Sequence, residues 1–86
     1  MEPSDVIVPS QDGIIAEIDR LLAILDELLG KMDNHSIVYH DTSLHHSNLT
    51  LARFILTERG EDYEPKAWRM VKNARIYTRA LQWKGE

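Results

Sequence analysis

Residues 13–32, GIIAEIDRLLAILDELLGKM, decide the fold of this chain. Ile15, Ile18, Leu22, Leu25, Leu29 and Met32 recur at steps of 3, 4, 3, 4 and 3, a heptad rhythm that only a helix places on one side. Ile14, Leu21, Ile24 and Leu28 widen that seam to roughly half the circumference. One neighbouring helix covers a narrower stripe, so this helix needs at least two partners. Ser10 or Asp12 can cap its start, Gly30 weakens its last turn, and Asp33-Asn34 end it. A helical bundle follows.

Outward from this seam the chain punctuates itself. Residues 1–10, with Pro3, Ser4, Pro9 and Ser10, predict an extended arm, and residues 11–86 a single helical domain. Residues 34–43 predict a joint in which the β-branched and aromatic run Ser36–His40 has some strand character. Asp41, Thr42 and Ser43 offer three successive caps for a second helix over 43–59. Its core side is predicted to carry Leu44, Leu51, Phe54 and Ile55, with Leu49 and Leu56 turned outward. Arg59-Gly60 reads as its end, and Pro65 as the first turn of a third helix over 65–83. The expected architecture is all-α, three helices at about 12–32, 43–59 and 65–83. With 86 residues a solitary core is small, and a dimer or higher homo-oligomer is expected to complete it. Its interface would use Ile15, Ile18, Leu22, Leu25 and Leu29, so that Leu22→Asp would dissolve the assembly.

The net charge of -4 conceals a polarity along the chain. Residues 1–33 hold eight acids and two bases, whereas Lys66 to Lys84 hold six bases, no acid and both tryptophans. On a helical projection Ala67, Met70, Val71, Ala74, Tyr77, Thr78 and Leu81 form a core stripe. Trp68, Arg69, Lys72, Arg75, Ile76, Arg79 and Trp83 gather on the other side. Tryptophan and arginine dominate binding hot spots, so this arc is the candidate partner-binding face, with a protein as the expected partner. Two other readings use the same residues. Arginine and lysine can neutralise a phosphate backbone while tryptophan stacks on bases. Alternatively the arc packs on the first helix, with basic stems covering the tryptophans and reaching Asp19, Asp26 or Glu27. A small ligand held between subunits is a more distant reading.

Chemistry is sparsely signalled. There is no cysteine, hence no disulfide framework or thiolate metal site. His35, His40, His45 and His46 crowd into twelve residues, but His45 and His46 are adjacent on a helix and diverge by about 100°. No metal site and no cofactor is expected. The chain lacks a phosphate loop, a nucleophile elbow and an H-E-x-x-H pair, so no enzymatic activity is expected either. The acidic start Met1–Asp5 lacks the features of a signal peptide, and the longest apolar run, Leu21–Leu25, is too short for a bilayer. A cytoplasmic protein without membrane contact is expected. By composition the chain is similar to the small adaptors, inhibitors and regulators that bacteria and phages encode.

Overall fold

The heptad seam becomes α1, Gln11–Lys31, in a computed structural model that describes residues 10–84, apart from the side chains of Trp83 and Lys84. The predicted arm therefore lies outside the described residues except for Ser10, the N-cap of α1. Ile14, Ile18 and Leu25 are completely buried and Leu21 nearly so, while Ile15, Leu22 and Leu28 pack beside them. The breadth of the apolar seam is thus consumed by two neighbouring segments of the same chain, α2 (Ile37–Arg59) and α3 (Glu64–Lys84).

The joint is shorter than the sequence suggests. Asp33 turns the chain by accepting the His35 amide on Oδ1 at 3.0 Å, and Ser36 Oγ donates to the Asp33 carbonyl at 2.8 Å. Ser36 Oγ also accepts the Tyr39 amide at 3.0 Å, which caps α2 six residues before the expected start. Ile37-Val38-Tyr39-His40 is therefore the first turn of α2 and not a strand. No strand occurs among the described residues to pair with it. Asp41, Thr42 and Ser43 are consequently interior to the helix. Thr42 is buried, donating to the Val38 carbonyl at 2.7 Å and accepting from the Tyr77 hydroxyl at 2.8 Å.

The face that α2 turns inward is the reverse of the predicted one. Leu49, Ala52 and Leu56 are buried, while Leu44, Leu51 and Phe54 are 60%, 54% and 63% exposed and Ile55 is half-buried. The small side chains explain the choice. Ala52 on α2 and Ala67 and Ala74 on α3 are all buried in the common core, where they let the backbones approach. Leu49 and Leu56 flank Ala52 on the same face and supply its apolar bulk.

Gly60 ends α2 as predicted, with φ 66° and ψ -131°. A side chain there would cost about 1–3 kcal/mol in backbone strain. The chain does not leave helical geometry for long. Gly60–Tyr63 tightens into a 3-10 turn that runs directly into Glu64, Pro65 and α3. The all-helical class is as expected, but three separate helices are not. The described residues form two helical runs, 11–31 and 37–84, the second bent at the 3-10 turn. α3 buries Ala67, Val71, Ala74 and Thr78, with Met70, Tyr77 and Leu81 half-buried, which is the stripe read from its periodicity.

Of the five residues assigned to an interface between copies, Ile18 and Leu25 are wholly buried in this core. Ile15, Leu22 and Leu29 are half-buried. No described helix is long and apolar enough to cross a membrane.

Candidate functional site: the basic arc of α3 and its anchor on α1

The core stripe of α3 fixes where its other residues fall. Around the helix, Arg75 and Trp68 come first, on the side of α1, then Arg79 and Lys72, and then Ile76 and Arg69. This ordering splits the predicted arc into an anchored flank and an open face.

The flank is organised by Glu17 of α1, whose side chain is only 18% exposed. Its Oε1 accepts from Arg20 Nε at 2.9 Å and pairs with Arg20 Nη2, while Oε2 meets Arg75 Nη2 at 3.4 Å. The Arg20 hydrogen bond chiefly, helped by Arg75 and opposed by partial burial, holds the Glu17 carboxyl below the usual carboxylate range. From this anchor the Arg75 guanidinium lies 4.9 Å from the centre of the Trp68 ring. Such a cation–π contact contributes about 0.5–1 kcal/mol at a partly wet site. Trp68 is half-buried, packed against the core, and its Nε1 has no hydrogen-bond partner among the described residues. The reading in which arginine covers tryptophan thus describes this flank. The acids differ from those named: Asp19 pairs with Arg53 at 2.8 Å, Asp26 with His46 at 2.8 Å, and Glu27 with Lys31 at 3.3 Å.

The open face is different. Ile76 is 71% exposed, Arg69 and Arg79 are exposed, and Lys72 is half-buried. None of these three cations makes an ion pair among the described residues. The Trp83 side chain lies outside what the structure describes.

The histidines do not converge. His46 meets Asp26, His45 stacks on Tyr77 with ring centres 4.2 Å apart, and His40 lies edge-on to Tyr39. Among the described residues no three His, Asp or Glu side chains gather as metal ligands would. Partial burial pushes the His45 imidazole below its ordinary 6.5, against an opposing pull from Asp41. The unfolded chain therefore binds the His45 proton more readily than the folded one. Its contribution to stability is complete above about pH 6.5 and declines as the pH falls through that value. The melting temperature is expected to drop as the pH falls below about 6.5, and His45→Gln to flatten that slope; a series of thermal melts checks both.

Beside the flank, α1 and α3 leave a cleft of about 330 Å3 lined by Arg20, Leu21, Ile24, Arg75, Thr78, Arg79 and Gln82. Glu17, Arg20, Thr78 and Gln82 were not singled out from sequence as site residues. Only the Glu17–Arg20 spacing of three on one helix signalled any part of this group.

No protein-family model, curated protein or solved structure matches this chain.

Proposed function

We propose that this is a small non-enzymatic binding protein, an adaptor, inhibitor or regulator, that presents the open face of α3 to an acidic surface of a protein partner. The observation that carries the proposal is Ile76, an apolar side chain left 71% exposed among Arg69, Lys72 and Arg79. An apolar centre with a charged rim is how protein interfaces are built. A track for a phosphate backbone has no use for isoleucine at that place. Arg75 and Trp68 would stiffen one margin of the face through Glu17.

The test compares affinity capture from source cells with wild-type, Ile76→Asp and Arg69→Glu baits after nuclease treatment. Prey recovered by the wild type and lost with both variants supports the proposal; an unchanged prey set contradicts it. The rival reading, in which the same helix lies on a nucleic-acid backbone, requires log affinity to fall steeply with log salt.

Self-association belongs to the same proposal, through a different surface from the one named on α1. Ile37, Leu44 and Leu51 stand seven residues apart on the outside of α2, 78%, 60% and 54% exposed, with Phe54 beside them. Heptad spacing lets such a line pair with its own copy. Leu51→Asp is expected to convert an oligomer to a monomer, read as mass by light scattering during size-exclusion chromatography. An unchanged mass would remove this interface.

A further inference from the structure

The cleft between α1 and α3 contains more positive charge than the fold uses. Arg20, Arg75 and Arg79 line it, and Glu17 is the carboxylate that answers them, pairing with the first two. Two positive charges are left over in a chain whose net charge is -4. Glu17 also occupies few of the donors. Each guanidinium offers five N–H groups, and those of Arg79 make no ion pair among the described residues.

Thr78 supplies an independent observation. A threonine inside a helix ordinarily gives its hydroxyl proton to the carbonyl four residues back. Thr42, Thr50 and Thr57 all do so, at 2.7, 2.9 and 2.9 Å. Thr78, the only other threonine in the chain, does not. It is 3% exposed and lines the cleft; its Oγ1 has no partner among the described residues and is closed off from solvent, so a turn about χ1 is what would present it to a ligand there. A buried hydroxyl without a partner is costly unless something brought to it completes the bond.

We propose that this cleft is a binding site for a phosphate monoester of a small molecule, held by Arg20, Arg75, Arg79, Thr78 and Gln82. A phosphate monoester carries a charge of about -1.5 to -2 near neutrality and three acceptor oxygens, which match the excess charge and the fan of donors. A carboxylate, with a single charge and two oxygens, leaves one guanidinium and the hydroxyl unanswered. Leu21 and Ile24 give the cleft an apolar wall for the carbon side of the ester. The volume of about 330 Å3 lies at the small end of the range for ligand sites. Arg79 is common to this site and to the rim around Ile76, whereas Thr78 belongs to this site alone and Ile76 to the other, so Thr78→Val and Ile76→Asp tell the two proposals apart.

Phenyl phosphate is the test probe, titrated into the full chain by calorimetry and by amide-resolved NMR, with phenylacetate as the singly charged comparison. Phenyl phosphate is expected to shift the amides around Arg20 and Thr78 and to bind at least about tenfold more tightly than phenylacetate. Arg79→Gln is expected to weaken it about tenfold or more, and Thr78→Val about fivefold. Thr78→Val removes the orphaned hydroxyl at nearly constant shape, so it should raise the melting temperature of the ligand-free protein while weakening the complex. A hydroxyl with no ligand role would produce only the first effect. Absence of shifts at millimolar phenyl phosphate, equal binding of phenylacetate, or unaltered affinity in both variants would each overturn the proposal.

Discussion

Leu56→Ala is expected to cost about 2–5 kcal/mol of folding stability, the range for deleting a fully buried leucine side chain beyond its Cβ. Leu56 is 0% exposed in the common core. The loss has two parts: the transfer energy of the removed carbons and the cavity they leave. An 86-residue domain has a total stability of only about 4–13 kcal/mol, so the variant should be substantially unfolded on mild heating. Leu51→Ala, five residues earlier on the same helix, is the internal comparison. Leu51 is 54% exposed, so its loss should cost no more than about 1 kcal/mol, and only in proportion to protein concentration, because association alone can bury it. Urea titrations of both variants at two protein concentrations read the difference. Equal costs would mean that α2 packs by its other face.

Ile76→Asp, with or without Arg69→Glu, is expected to reduce partner affinity by at least about thirtyfold, the effect of losing a hot spot worth about 2 kcal/mol. Folding should be unaffected, since both side chains are exposed and outside the core. A carboxylate at position 76 would also sit against an acidic partner, so repulsion adds to the lost contact. Arg75→Glu is a poorer choice. Arg75 is bound to Glu17 and lies over Trp68, and its reversal would set two carboxylates together and uncover the ring. Binding and stability would then change at once. Circular dichroism melts establish that Ile76→Asp remains folded before its affinity is compared.

The parts of this molecule that were legible in its sequence are those where one helix face differs sharply from the other. α1 has a broad apolar seam, and its limits follow from that pattern, although its deepest line is Ile14, Ile18, Leu21 and Leu25 and not the heptad one through Ile15, Leu22 and Leu29. The core stripe of α3 was legible for the same reason. α2 was not, because it carries large apolar residues on both sides, and periodicity cannot choose between them. The choice fell to Ala52 and to the alanines of α3, a property of how closely helices approach rather than of any one helix. The early start of α2 turned on a single serine whose hydroxyl reaches the Tyr39 amide. As for the site, the composition of the arc was plain, but its division into an anchored and an open half depends on Glu17, distant in sequence from Arg75. Residue spacing along one helix does not carry that information. The orphaned Thr78 hydroxyl is likewise visible only against the three threonines that are satisfied.

The central claim is that the outer half of α3 meets another protein. A photo-crosslinking amino acid placed at position 76, and separately at position 51, tests it most directly in living source cells. The account predicts a covalent conjugate with a different protein from position 76, resistant to nuclease, and a conjugate between two copies of this chain from position 51. No protein conjugate from position 76 in a protein shown to be folded, or a conjugate with nucleic acid alone, would contradict it.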